Sequence, residues 1–364
     1  MILVTGSTGF VGQEVVRKLV ALNQPVRVLV RHPETKNPFA HLRGVEVVQG
    51  DVLKPETLAA AMIGVQAVIH LVGIITETSR VTFEEAHTEA TRHVLAAAKG
   101  AGVGRWVQMS AIGTRPHARS RYHKTKWAAE ELVRNSGLDW TILRPSLIYG
   151  YDEKDRLLNL LRLVLSWPLD VIQLNSFPLL NGGEALIQPV SVREVAHCFA
   201  HAPTKESAIG RTFDLVGPVA MSWREMTFKI LAALGKKGLY EEIPLLLLLR
   251  ALLWFAALLL PILIVMGWSE DALTLPTTIL LAGVEVVLAS AAARWTKTIV
   301  FSIPGEPLIL ASEAANAFAP RELQASEPLK MAVEDNIGDP LPTTRTFDYT
   351  PETFEQGLLH IYKR

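Results

Sequence analysis

Residues 1–12 read MILVTGSTGFVG, and this stretch decides the fold. Ile2–Thr5 is apolar or β-branched and predicts a short buried strand, after which the sequence predicts the start of a helix. In between, Gly6 permits a tight turn, Gly9 lets the backbone approach a pyrophosphate, and Gly12 lets the helix pack closely on the strand. The N–H groups of a helix N-terminus can then bind a diphosphate. The pattern G-x-x-G-x-x-G therefore predicts dinucleotide binding, and the alternative is a glycine-rich turn in another α/β protein.

Apolar strands alternate with helices through the rest of the first 150 residues. The pattern predicts strands at 25–30, 45–52, 67–73, 105–110 and 140–150, and helices at about 55–63, 83–101 and 121–136. This alternation is typical of an α/β protein whose doubly wound parallel sheet has helices on both faces. In such sheets ligands bind at the carboxyl ends of the strands.

The end of the second predicted strand indicates which dinucleotide is bound. The strand PVRVLV is followed by Arg31 and His32, where a fold that selects NAD usually has an acid for the ribose 2′-hydroxyl. An arginine suits a 2′-phosphate instead. We therefore favour NADP(H) over NAD(H), and the alternative is an ordinary solvated arginine at a strand end.

Three residues further along predict a catalytic constellation. Ser110 ends the fifth predicted strand, and Tyr122 and Lys126 are spaced i and i+4, which places them on one helix face. This set resembles the active site of the short-chain dehydrogenase/reductases. The resemblance implies that Tyr122 is the general acid/base, that Lys126 lowers its pKa and holds the nicotinamide ribose, and that Ser110 orients the substrate. The alternative is that Tyr122 and Lys126 are surface residues of the helix.

Longer stretches resemble atypical and extended members of that superfamily. They include TGSTGFVG, the GDV after the third strand, MSAIGT, YHKTKWAAEELVRNSGLDWTILRPSLIYG and IQPVSVREVA. The tail piece LKMAVEDNIGDPLP resembles the nucleotide-binding accessory subunit of respiratory complex I and its bacterial relatives. That resemblance implies tightly held, structural NADPH and a role in a membrane respiratory complex. An apolar insert at about 244–300 and the intact Ser110, Tyr122 and Lys126 depart from the pattern.

The resemblance also implies a set of cofactor-binding residues. Asp51 and Val52 are expected to meet the adenine ring, and Leu71 to Gly73 are expected near the nicotinamide ribose. The full predicted set is Gly6, Ser7, Thr8, Gly9, Phe10, Val11, Gly12, Arg31, His32, Asp51, Val52, Leu71, Val72, Gly73, Tyr122 and Lys126.

Composition excludes several classes of protein. The chain has 36 basic and 36 acidic residues, so no overall field favours nucleic acid. One cysteine, Cys198, excludes a disulfide framework and a cysteine-based zinc site, and the histidine spacings predict no metal site. The first residues already form a strand of the fold, so we expect no signal peptide.

Two apolar stretches predict a helical hairpin. Residues 251–268 carry no charge, and residues 272–293 are interrupted only by Glu285. Each is long enough to cross a hydrocarbon core of ~30 Å. Basic residues flank the outer ends and two acids lie in the connector, which predicts that both outer ends face the cytoplasm. We expect anchoring at the cytoplasmic membrane face by residues 251–293, the alternatives being interfacial attachment and a buried soluble hairpin.

The predicted organisation has four parts. They are a dinucleotide-binding Rossmann domain at 1–150, a small substrate lobe at 151–242, the hydrophobic hairpin at 243–300 and a tail at 301–364 that docks on the main body.

Three functions fit this organisation. The first is an NADP(H)-binding accessory or assembly partner of a membrane oxidoreductase complex. The second is an active oxidoreductase or epimerase on a lipophilic substrate. The third is a nucleotide redox sensor.

Overall fold

The structure, a computed structural model, describes residues 1–35, 37–150, 176–235, 238–241, 298–316, 321, 324 and 326–362. The predicted hydrophobic hairpin at 251–293 lies outside the described residues. Among the helices of the described ranges, none combines the length and the apolar character that a membrane crossing needs.

The strands and helices of the described ranges are defined as follows. The strands are β1 Ile2–Thr5, β2 Val26–Val30, β3 Val45–Gln49, β4 Ala67–His70, β5 Arg105–Met109, β6 Asp139–Pro145, β7 Ile148–Tyr149, β8 Ser176–Leu180, β9 Leu186–Ile187, β10 Val190–Ser191, β11 Arg211–Leu215, β12 Met221–Ser222, β13 Gly238–Glu241 and β14 Thr298–Ile303. The helices are α1 Phe10–Ala21, α2 Ala90–Gly100, α3 Arg121–Arg134, α4 Val192–His201, α5 Trp223–Ala233, α6 Gly305–Asn316, α7 Ser326–Ala332, α8 Leu341–Phe347 and α9 Phe354–Tyr362.

Seven parallel strands form the main sheet, in the order β3-β2-β1-β4-β5-β6-β11. The order reverses between β1 and β4, and such a switch point is where ligands bind in this class of sheet. The glycine-rich turn after β1 lies at this place. The parallel α/β sheet predicted from the sequence is therefore confirmed.

Two apolar layers cover the two faces of the sheet. On one face α1 and α4 bury side chains such as Val15, Leu19 and Phe199 against it. On the other face α2 and α3 contribute Val94 and Val133 to a core around the fully buried Trp106. Helices on both faces are what a doubly wound sheet requires.

Two predicted elements differ in detail. The helix predicted at about 55–63 is a pair of short 3-10 turns, Pro55–Thr57 and Ala60–Met62. The long helix predicted at 83–101 is present, but its first part, Glu84–Glu89, is a π-helical turn that leads into α2. The irregular turn matters below, because it brings a histidine to the candidate site.

The chain divides into two compact units. The first comprises Met1–Asp155, Ala185–Ser222 and Gly305–Arg364, and it contains the main sheet. The segment 185–222, which the sequence places in a substrate lobe, therefore belongs to this unit, with β11 as an edge strand of the main sheet. The second unit comprises Arg156–Glu184 and Trp223–Pro304, and its described part is the parallel sheet β13-β14-β8 with α5.

The C-terminal residues contact the main sheet directly. Thr343 Oγ1 donates a hydrogen bond to the carbonyl oxygen of Asp214 on β11, at 2.7 Å. Phe347 of α8 packs edge-on against Phe213, with ring centroids 5.3 Å apart. Phe354 of α9 is buried as well. This packing brings the tail close to the carboxyl ends of the strands.

Candidate nucleotide-binding and active site

The glycine-rich turn has the tight geometry that the sequence pattern predicts. Gly6 has a φ of +72°, and a Cβ there would lie 2.9 Å from the carbonyl carbon of Leu71 on the neighbouring chain segment. A Cβ on Gly12 would lie 2.3 Å from the carbonyl oxygen of Gly6. Gly9 is the N-cap of α1, and no side chain caps this helix. The helix N-terminus is therefore available to bind an anion.

A buried hydroxyl in the same turn supports a phosphate site. Ser7 is fully buried, and its Oγ has no hydrogen-bond partner among the described residues. An unpartnered buried hydroxyl is costly unless a ligand or a water satisfies it. A dinucleotide diphosphate would accept this hydrogen bond, and the lack of side chains on the glycines would let it approach the backbone N–H groups of the turn. The residues present therefore fit an NAD(P) diphosphate.

The other predicted cofactor residues lie at the same edge of the sheet, after β2, β3 and β4. Arg31 and His32 are exposed at the end of β2. Asp51, after β3, accepts a hydrogen bond from the Leu53 N–H at 3.0 Å. Leu71 is buried after β4, whereas Gly73 is exposed. Because these strands are parallel, the positions lie at one edge of the sheet.

Lys126 reaches the ends of β4 and β5. Its Nζ donates to the carbonyl oxygen of Met109, at 3.4 Å. A Cβ on Gly73 would lie only 2.7 Å from the same nitrogen. The absence of a side chain at Gly73 thus makes room for a buried ammonium beside the expected nicotinamide ribose.

Ser110 and Tyr122 approach the same region from two elements. Ser110 is buried directly after β5, and its Oγ donates to Thr114 Oγ1 at 3.4 Å. Tyr122 lies in the first turn of α3, which begins after the N-cap Ser120. The phenol ring of Tyr122 packs edge-on against the rings of Phe83, His87 and His123, with centroids 5.8, 5.2 and 5.0 Å away.

Burial sets the protonation of the tyrosine–lysine pair. It raises the pKa of Tyr122 to about 12 and lowers the pKa of Lys126 to about 8. Burial of the phenol is the cause of this shift in Tyr122, and the lowering by Lys126 that the resemblance implies stays a prediction. Tyr122 is therefore a neutral phenol at neutral pH, which can donate a proton but does not act as a ready base.

Sequence reasoning missed two histidines at this site. His87 is buried on the π-helical turn, with Nδ1 2.8 Å from Thr125 Oγ1 and Nε2 3.0 Å from the carbonyl oxygen of Ile74. It therefore connects the segment after β4 to α3. His123 is buried beside Tyr122, with Nδ1 3.4 Å from Thr114 Oγ1. The histidine spacing gave no signal for the role of His87, because a π-helical turn shifts the helical register. His123 lies on the regular helix α3, and its neighbours there do not reveal its contact with Thr114.

A buried ion-pair network supports α3 one turn beyond Lys126. Glu130 is fully buried and accepts two hydrogen bonds from Arg144, at 2.8 and 2.6 Å. Arg134 donates a third, at 2.6 Å. Arg144 lies on β6, so the network fixes α3 against the sheet.

We expect the stability of the fold to fall steeply in mild acid. Burial, followed by the charge of Lys126, lowers the pKa of His70 to about 3 and that of His87 well below its usual value. Burial lowers the pKa of His123 to about 4. Below about pH 6.5 these histidines bind protons in the unfolded chain but not in the folded chain. Each histidine therefore lowers the free energy of unfolding by about 1.4 kcal/mol for each pH unit that the pH falls. Burial raises the pKa of Glu194 to about 7, so this carboxyl binds its proton more readily in the folded chain. Its effect on the free energy of unfolding has the opposite sign and offsets that of one of the three histidines.

The net loss is therefore about 3 kcal/mol per pH unit between about pH 6 and 4.5. It is measured as the free energy of unfolding in urea at a series of pH values. His70→Gln, which cannot titrate, should lower the slope by about 1.4 kcal/mol per pH unit. A free energy that stays constant from pH 7.5 to 5 would contradict the prediction.

Comparison with known proteins agrees with this geometry. Residues 6–159 match a family of proteins described as NAD(P)H-binding. The (4-alkanoyl-5-oxo-2,5-dihydrofuran-3-yl)methyl phosphate reductase of Streptomyces griseus is 32% identical over 244 residues, which are 67% of this chain and 77% of that protein. The chain belongs to the NAD(P)-binding short-chain dehydrogenase/reductase-like family. The matched residues 6–159 of this chain include the glycine-rich turn, Ser110, Tyr122 and Lys126.

The names of two other similar proteins describe different roles. Mitochondrial NADH dehydrogenase (ubiquinone) 1 alpha subcomplex subunit 9 of Arabidopsis thaliana is 32% identical over 229 residues. The match is 61% of this chain but only 55% of that protein, so the chain spans about half the length of this relative. The NADPH-dependent quinone oxidoreductase QOR2 of Escherichia coli, solved with NADPH, superposes with a TM-score of 0.64 over 100% of both chains. At 16% identity, this likeness shows the fold alone.

Proposed function

We propose that this chain holds NADP(H) as a lasting part of its structure and acts as an accessory or assembly partner of a membrane oxidoreductase complex. The observation that carries the proposal is the state of Tyr122. Three rings surround its phenol, and burial raises its pKa to about 12. A general base in rapid turnover needs a pKa near the operating pH. A phenol with this pKa is a poor general base at neutral pH, which supports a site that holds its nucleotide without rapid oxidation of a substrate.

The residues at the sheet edge would hold the nucleotide at both ends. The N-terminus of α1 and the Ser7 hydroxyl would bind the diphosphate, and Lys126 would donate to the nicotinamide ribose. A bound nicotinamide supplies hydride chemistry. The exposed Arg31 supports NADP(H) rather than NAD(H), since a guanidinium pairs well with a 2′-phosphate.

The proposed location is the cytoplasmic face of the membrane. The apolar stretches 251–268 and 272–293, with bases at their outer ends, support an anchor there. The family relationship to a subunit of NADH dehydrogenase supports a respiratory complex as the partner.

The experiment that tests the proposal begins with the full chain purified in mild detergent. The released nucleotide is identified and counted by mass spectrometry, and we expect stoichiometric NADPH that exchanges slowly. In Arg31→Asp, which removes the 2′-phosphate partner and supplies an acid, NADP(H) should be depleted relative to NAD(H). Arg17→Asp is the matched control, because Arg17 is an exposed arginine paired with Glu14 on α1. Unchanged nucleotide content in Arg31→Asp would refute the preference for NADP(H).

The assembly role is tested separately, in cells that lack the protein. We expect the membrane complex to accumulate as partly assembled intermediates on native gels. A complex that assembles at the normal rate would refute the assembly role.

A second candidate function is a slow reductase on a lipophilic substrate. The buried Ser110 at the carboxyl end of β5 favours it, because a serine hydroxyl there is not needed to hold a nucleotide. Tyr122, as a neutral phenol, would donate its proton to the developing alkoxide of a carbonyl substrate. The test is substrate-dependent consumption of NADPH that Tyr122→Phe abolishes. Equal consumption by Tyr122→Phe would exclude this role for the tyrosine.

A further inference from the structure

The loop between β5 and α3 carries two arginines, Arg115 and Arg119, that pair with acids distant in the sequence. We call residues 111–120 the site loop, because they join Ser110 to the helix that begins beside Tyr122. Two segments near the C-terminus, Gly305–Asn316 and Ser326–Ala332 with its extension to residue 338, are called the strap. Both segments belong to the same compact unit as the main sheet.

Charged contacts join the site loop to the strap at three places. Arg119 donates two hydrogen bonds to Glu306, at 2.8 and 3.1 Å. Arg115 donates to Glu334, at 2.8 Å. At the end of the loop, the backbone N–H of Arg121 donates to Glu327, at 2.5 Å. The strap therefore contacts the loop from its middle to the start of α3.

The strap is itself tied together and tied to the sheet. Lys330 contacts Glu313 at 2.7 Å and Glu327 at 3.1 Å, which joins its two helices. The backbone N–H of Asn336 donates to the carbonyl oxygen of Leu186, at 2.7 Å, and Ser146 Oγ donates to the Asn336 carbonyl oxygen, at 3.1 Å. Ser146 follows β6, so the strap passes the carboxyl ends of the strands beside the candidate site.

The strap also meets the loop at a glycine. A Cβ on Gly113 would lie 3.5 Å from Asn336 Oδ1 and 3.3 Å from His123 Nε2. The loop, the strap and the residue next to Tyr122 thus lie in contact. Any outward movement of the site loop has to break the contacts with the strap.

We propose that the strap is a latch that slows release of the nucleotide by holding the site loop closed. This inference rests on the proposed function, since it explains how a site of this family can retain its nucleotide. Both side chains of the Arg119–Glu306 pair are about half exposed, 47% for Arg119 and 57% for Glu306. Pairs of this kind are weak and screened by salt, so the latch can open without unfolding the molecule.

The test uses charge reversal in the full chain, purified in detergent and loaded with NADPH. Arg119→Glu places two carboxylates together, and the double variant Arg119→Glu with Glu306→Arg restores an opposite-charge pair. Arg92→Glu is the matched control, because Arg92 of α2 is similarly exposed, at 50%, and pairs with Glu89. Two quantities are measured, namely the rate of NADPH release and the hydrogen exchange of residues 111–121.

We expect Arg119→Glu to accelerate both quantities about three- to tenfold, with the double variant and Arg92→Glu close to the wild type. Raising the salt concentration should accelerate release in the wild type and change it little in Arg119→Glu. Unchanged hydrogen exchange in Arg119→Glu would overturn the latch. Faster exchange with unchanged NADPH release would also overturn it, because the strap would then hold the loop without retaining nucleotide.

The two proposals fail in different ways. If the wild type binds no NADPH, the proposed function fails, and the latch fails with it as a device for retention. If NADPH binds tightly and Arg119→Glu changes neither quantity, only the latch fails.

Discussion

Gly12→Ala should greatly weaken nucleotide binding. A Cβ at this position would lie 2.3 Å from the carbonyl oxygen of Gly6 and 2.6 Å from Ser7 Cα. Both contacts are with backbone, so no flexible side chain can move aside, and the turn must shift away from the N-terminus of α1. Because the diphosphate depends on the geometry of that turn, we expect affinity for NADPH to fall at least about 100-fold, or roughly 3 kcal/mol. Fluorescence titration with NADPH measures the effect.

Gly104→Ala is the matched control for this prediction. A Cβ on Gly104 would have no atom within 4 Å, and the residue lies before β5. Its substitution should leave both affinity and stability unchanged. Wild-type affinity in Gly12→Ala would show that the turn does not bind the diphosphate.

Glu130→Ala should produce the largest loss of stability. It removes the carboxylate that pairs with both Arg144 and Arg134, and it leaves a partly buried guanidinium on β6 without its partner. Breaking a buried pair from one side costs about 3–5 kcal/mol. Glu130 also raises the pKa of Lys126, so the loss of its charge should lower the lysine pKa further below about 8. Urea denaturation measures the first effect, and the pH dependence of NADPH affinity measures the second.

The neighbouring residue provides the control. Glu131 pairs with Arg134 as well, but its side chain is 46% exposed. Glu131→Ala should therefore cost about 0–1 kcal/mol. If both variants lost the same free energy of unfolding, burial of Glu130 would not be what determines its contribution to stability.

Much of the sheet could be predicted from local sequence. β1 was predicted at its observed residues, and β2, β4 and β5 lie within the predicted ranges, because buried parallel strands appear as continuous apolar runs. The role of Gly12 could also be predicted, since the spacing of the three glycines implies a close approach of helix and turn.

Other features depend on non-local packing and carry little local signal. The predicted helix at 55–63 is two 3-10 turns, and Pro55 at the first position is compatible with a helix of either kind. The position of His87 depends on a π-helical turn that a period of 3.6 residues does not reveal. The pair Arg115–Glu334 spans 219 residues of sequence, and single charged residues do not indicate their partners.

The arrangement of the first unit also affects how the protein is made. Its three segments are separated by residues 156–184 and 223–304, so the strap leaves the ribosome only after both intervening segments. At about 5–20 residues per second, roughly 8 to 30 s pass between synthesis of residue 155 and of residue 305. During that time the nascent chain has its glycine-rich turn and Tyr122 but not its strap. Nucleotide capture during translation would therefore precede closure, and the newly made protein would acquire its cofactor while the site loop is still free.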